Sequence, residues 1–162
     1  MQLRSPDGAL VALRIAGYQF PDYRWAHDED ANWLQIRGSI TLANGKTWAF
    51  EDPCLRTWDA RELGSWLSEV AAGVVPPSPV TGGEPEGLLY FLEPNVAFSV
   101  EERTAARVWI RVHFSLESLP LWLQGPEEPG LFEYFVRLDV SAEELNRAAA
   151  SWMLELAEFP ER

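Results

Sequence analysis

At 162 residues, 47% apolar and 23% charged, the chain has the size of one domain and can bury about 70% of its unfolded surface. No apolar run approaches the ~18 residues of a membrane span. Thirteen basic against 25 acidic residues give a net charge of −12, which disfavours nucleic acid and favours basic partners, or simply keeps the chain in solution.

Cys54 is the only cysteine, so no internal disulfide can form. The N-terminal "MQLRSPDGAL" has no apolar core and no small-residue cleavage site. Together these predict a cytoplasmic protein. The acidic excess falls after residue 56. Eight tryptophans suggest a large aromatic core, with one or two left to anchor an interface.

In chain order, 9–15 "ALVALRI" reads as a first strand. A long irregular segment follows, ending in "HDEDAN", and loops of that length are often functional. "WLQIRGSITL" (33–42) alternates, with Leu34, Ile36, Ile40 and Leu42 on one face and Trp33 on the other. Asn44-Gly45 marks a hairpin into "TWAFED" (47–52). A three-residue loop pairs Ile40 with Trp48 and puts the apolar residues of both strands on one face, whereas a two-residue loop splits them; the first, with Gly45 left-handed, is predicted.

Asp52-Pro53 should end that strand. Thr57 reads as the N-cap of a helix over about 57–72, with Asp59 and Glu62 at its positive end and Leu63, Trp66, Leu67, Val70 and Ala71 as its stripe. The Pro/Gly-rich 73–87 is expected to be a mobile loop inside a single domain spanning 1–162. "LLYFLEPNVAFSV" reads as a second hairpin turning at Pro94-Asn95, with Glu93 opposite Val96. "RVWIRVHF" alternates: Val108, Ile110, Val112 and Phe114 face one way, Arg107, Trp109, Arg111 and His113 the other. A proline-rich loop (115–130) leads to a last strand at about 131–140. Ser141 and Glu144 form a capping box for a helix over about 141–158, striped by Leu145, Ala149, Trp152 and Leu156. The sum is an α+β fold: an antiparallel sheet of about seven strands, mostly hairpin-linked, packed with two amphipathic helices.

Chemistry is sparse. His27 and His113 lack metal-ligand spacing, no glycine-rich phosphate loop follows a strand, and Cys54 has no neighbouring base, so neither a metal nor a cofactor is implied. Glu93 and Glu117 would make an acid–base pair only if their loops met. Asp28, Glu29 and Asp30, with Trp33 beside them, could meet a basic partner or merely be solvated. Arg107, Trp109, Arg111 and His113 form a basic-aromatic stripe that could hold an anionic small ligand, or a sheet face tied up by cross-strand pairs to Glu101 or Glu133.

Five phrases carry a resemblance across nearly the whole chain: "DANWLQIRG" (30–38), "DPCLRTW" (52–58), "LEPNVAF" (92–98), "VHFSLESLPLW" (112–122) and "ELAEFP" (155–160). In order and spacing they resemble immunity proteins paired with wall-associated (Wap-type) contact-dependent toxins, and related uncharacterised bacterial domains. The resemblance implies a non-enzymatic cytoplasmic inhibitor that binds and occludes a toxin domain, often a nuclease with a basic cleft. Direct binding to nucleic acid or membrane is not implied. The alternative reading is a small-ligand-binding or regulatory domain using the Arg107/Trp109/Arg111/His113 face.

Overall fold

A computed structural model of the protein describes residues 1–23, 29–78 and 87–162. Asp28, His27 and residues 79–86, the greater part of the expected mobile loop 73–87, lie outside the described residues. The described residues form seven antiparallel strands and two helices, an α+β fold. The strands divide into two sheets instead of one. The first has the order β1-β2-β3-β4, with β1 Gln2–Arg4, β2 Leu10–Tyr18, β3 Trp33–Thr41 and β4 Thr47–Arg56; the second has the order β5-β6-β7, with β5 Val96–Arg103, β6 Val108–Phe114 and β7 Phe135–Val140.

The β3–β4 hairpin adopts the predicted register. Ile40 lies opposite Trp48, Leu42 N–H donates to the Lys46 carbonyl at 2.8 Å, and Gly45 has φ +83°. The left-handed residue lets one extra loop residue be absorbed, so Ile36, Ile40 and Phe50 all reach the core. Contrary to expectation, β4 does not stop at Pro53. Ile36 pairs with Asp52 but Leu34 with Leu55, a bulge that carries the strand past the proline. This is tolerated because β4 is an edge strand and its free side needs no N–H from Pro53.

Three further expectations shift. The strand at 88–93 shrinks to one bridge, Leu89 with Phe98, so Phe91 does not oppose Phe98. The hairpin cannot close tightly because Asn95 is drawn away to other loops, as described below. The last strand starts at Phe135 instead of 131, since Phe132 is left-handed at φ +66°. The short β1 was not foreseen; it pairs with β2, and Ser5 just beyond it accepts a bond from Asp139 N–H of β7.

Helix α1 spans Thr57–Ala71 and α2 spans Ala142–Leu156. The α1 cap lies one residue earlier than predicted. Arg56 is the cap, its backbone N–H held by Asp59 Oδ2 at 2.9 Å, while the Thr57 hydroxyl donates to Asn32 Oδ1. The Ser141–Glu144 capping box forms as read. One contiguous core contains residues of both sheets and both helices, among them Leu13, Ile36, Leu67, Phe98, Ile110 and Trp152. Among the described residues no helix is long and apolar enough to cross a membrane.

Candidate functional site

Asn95 is the point at which three of the quoted phrases converge. The residue is 1% exposed. Its side-chain amide donates to Glu117 Oε2 at 3.1 Å and to Asp52 Oδ1 at 3.4 Å. Its carbonyl accepts from Ser115 N–H at 2.9 Å and from the Ser118 hydroxyl. A residue that reads as a turn position therefore ties the end of β5 to β4 and to the loop after β6. Buried polar groups must be paired, and a fully satisfied one fixes the loops that pair with it.

The result is a crowd of carboxylates. Asp52 lies half-buried where the β4 bulge re-aims the strand. Burial raises its carboxyl above the ordinary aspartate range, and the charges of Glu117 and Glu93 raise it further. Of the Glu93–Glu117 pair, which would form only if their loops met, Glu117 thus shares the Asn95 amide with Asp52, and the Glu93 charge acts on the same carboxyl. Beside them lies a shallow depression of about 390 Å³ lined by Leu116, Glu117, Gln124 and Glu128. Cys54 is wholly buried, and burial followed by the Asp52 charge pushes its thiol far up, so it stays protonated. Among the described residues no group of three His, Cys, Asp or Glu could hold a metal ion.

The loops on either side of Asn95 are greasy. Tyr90, Leu92, Leu116, Leu121, Trp122 and Leu131 are six of the ten large hydrophobic residues exposed among the described residues. Tyr90, Leu92 and Leu131 fall in stretches that read as strands, while the loop residues Leu116, Leu121 and Trp122 have no periodic signal in the sequence. Leu116 and Phe132 are also the two non-glycine residues with positive φ among those described, at 54° and 66°.

The other expected site residues are placed differently. Glu29 and Asp30 open a 3-10 turn over Glu29–Asn32. The exposed Glu29 carboxylate is 3.7 Å from the Arg56 guanidinium, and that guanidinium also lies over the rings of Trp33 and Trp58. Trp33 is therefore half-buried, under a cation.

The stripe of Arg107, Trp109, Arg111 and His113 is largely enclosed. Arg107 is bound to Asp139 at 2.6 Å and to Glu144 at 3.4 Å. Trp109 is half-buried beneath Arg137. Arg111 and His113 are buried. Arg111 Nη1 donates to the Ser78 carbonyl and to Ser99 Oγ, and Glu101 lies 3.6 Å from Nη2, one of the cross-strand pairs weighed above. β6 is the central strand of its sheet and is covered on both faces, so alternation does not separate inside from outside there.

His113 is locked between Ser99 Oγ at 2.9 Å and the Phe132 carbonyl at 2.7 Å. A carbonyl only accepts, so Nδ1 carries the proton and Nε2 accepts from Ser99. Burial lowers the imidazole to about 4 from 6.5; the Phe132 carbonyl works against this, and the Arg111 charge with it. The unfolded chain then takes up its proton first as pH falls. The stability due to the neutral ring is complete above pH 6.5 and disappears as pH drops toward 4, by up to about 3 kcal/mol. Urea titrations at pH 7 and pH 4 should show wild type losing about that much more than His113→Gln; parallel losses would refute the assignment.

Against this geometry stands the family comparison. The Immunity protein WapI-like family model matches residues 2–160. The chain belongs to this family. No curated protein matches it. The match covers both sheets, both helices and the Asn95 junction, so these features lie within the region that the family model spans.

Proposed function

We propose that this WapI-like protein is the antidote to a toxin domain, which it neutralises by binding and covering the toxin's working surface, without catalysis and in the cytoplasm. The observation that carries this reading is the family match from residue 2 to residue 160. The net charge of −12 supports a basic partner, a nuclease with a cationic substrate cleft among them. Charge of this size speeds encounter with a basic surface and disfavours acidic ones.

The test is co-expression with the C-terminal domain of a large secreted protein encoded beside this gene. The expected result is survival of the host and a stoichiometric complex on a sizing column. Continued growth arrest with no complex would overturn the proposal. The complex should also weaken steeply between about 50 and 200 mM salt, because screening shortens the reach of surface charge to about 8–10 Å.

A further inference from the structure

We infer that the toxin partner docks on the face built by residues 87–95 and 115–134, an apolar centre with an acidic rim that fits a basic protein surface. This rests on the immunity reading and gives it a location.

The two segments form one face because they are joined at several points. Asn95 holds Glu117 and Ser118, Phe132 N–H donates to Ser115 Oγ at 2.9 Å, and the Tyr90 and Phe132 rings lie 5.9 Å apart. More than half of the large exposed hydrophobics among the described residues are concentrated here. Single exposed apolar residues are ordinary, whereas a cluster of them marks an interaction surface.

Trp122 is the natural anchor. It is 46% exposed, yet its ring meets that of Trp48 edge-on at 5.8 Å. Trp48 in turn donates from Nε1 to the Ser118 carbonyl at 2.9 Å and packs edge-on against buried Phe114 at 5.3 Å. An exposed tryptophan seated on a rigid support gives up little freedom on binding, which is the usual character of an interface hot spot.

Charge selects the occupant. The two segments contain Glu93, Glu117, Glu127, Glu128 and Glu133 and no lysine or arginine. Asp52 from β4 joins them through Asn95. Lys46, over the Trp122 ring at 5.4 Å, marks the margin. The charges of Glu117 and Glu93 act unfavourably on the Asp52 carboxylate in the free protein, and cations on a partner would relieve that repulsion. An acidic or purely apolar partner would not.

Calorimetry on the purified protein and its toxin domain, with melting curves alongside, tests the assignment. Trp122→Ala should weaken binding about thirtyfold. Leu121→Ser, at a side chain 81% exposed and so without a folding role, should weaken it severalfold. Asp52→Asn keeps an acceptor for Asn95 and removes a crowded charge. It should weaken binding about tenfold and flatten its salt dependence while the melting temperature holds or rises, a pairing that a structural role would not give. If all three variants bind within threefold of wild type, or if alanine at Asp28, Glu29 and Asp30 abolishes binding while these three do not, the docking face is wrong. If wild type itself neither binds nor protects, the immunity reading fails and this assignment with it.

Discussion

Gly38→Ala is expected to destabilise the fold by about 3 kcal/mol, although it adds a single methyl group. Gly38 is buried in β3, opposite Phe50 of β4 and Leu13 of β2. A Cβ there would come within 2.6 Å of three ring atoms of Phe50, closer than any relaxed side chain allows. The ring cannot swing aside cheaply. It is 7% exposed and lies 6.2 Å from the Phe114 ring, in the middle of the core. Glycine in a strand normally costs stability because it packs nothing and loses more backbone entropy. Here the aromatic ring from the next strand covers it, and that contact exists only because there is no Cβ. Urea denaturation would measure the loss. The double variant Gly38→Ala/Phe50→Leu should be less destabilised than the sum of the two single changes, since trimming the ring removes the clash. A cost below about 1 kcal/mol for Gly38→Ala would mean that the Phe50 ring is free to move.

The same glycine shows what kind of information the sequence held. Alternation placed Ile36 and Ile40 in the core, and the demand that both strands of a hairpin bury one face fixed the loop length around Gly45. Each is a short-range rule tied to a period or a turn, and each survives in the structure. The Ser141–Glu144 box and the α2 stripe are of the same kind. The rules failed where the deciding partner was distant. Asn95 in "EPN" is a good turn residue, but its amide is spent on Asp52 and Glu117, 43 and 22 residues away. That removed the tight hairpin and assembled the acidic junction. The Arg111 and His113 positions read as a solvated or ligand-binding face because charged residues are rarely buried. They are buried because Ser78, Ser99, Glu101 and the Phe132 carbonyl supply partners, and of these only Glu101 is suggested by cross-strand pairing in the sequence. Loop residues such as Leu116 and Trp122 obey no period, so their clustering needed coordinates. The five phrases that carry the resemblance do not by themselves show that three of them meet at Asn95.

Trp152→Ala should be the most damaging single truncation, at about 4 kcal/mol. Trp152 belongs to the apolar stripe of α2 and is fully buried. Its Nε1 donates to the Ala60 carbonyl of α1 at 2.6 Å, so the ring both fills and stitches the contact between the helices. Gly64, one turn further along α1, explains how the helices approach closely enough. Glycine inside a helix costs about 1 kcal/mol relative to alanine, yet a Cβ at Gly64 would lie 3.0 Å from Met153 Cγ and 3.3 Å from Trp152 Cδ1. Removing the indole would leave a void that neither a rigid helix pair nor the sheets behind it can collapse to fill. Trp152→Phe separates the two roles of the side chain. It keeps an aromatic ring but loses the donor, while the Ala60 carbonyl retains its bond within the helix, so a cost of about 1–2 kcal/mol is expected. Chemical denaturation should therefore rank wild type above Phe and Phe well above Ala. The docking face is built from the segment before β5 and the connection between β6 and β7, with Asp52 joining from β4, and none of these contains Trp152. At a temperature where Trp152→Phe is still folded, it should bind the toxin domain with wild-type affinity. Equal costs for the Phe and Ala variants would assign the whole effect to the hydrogen bond and refute the packing argument.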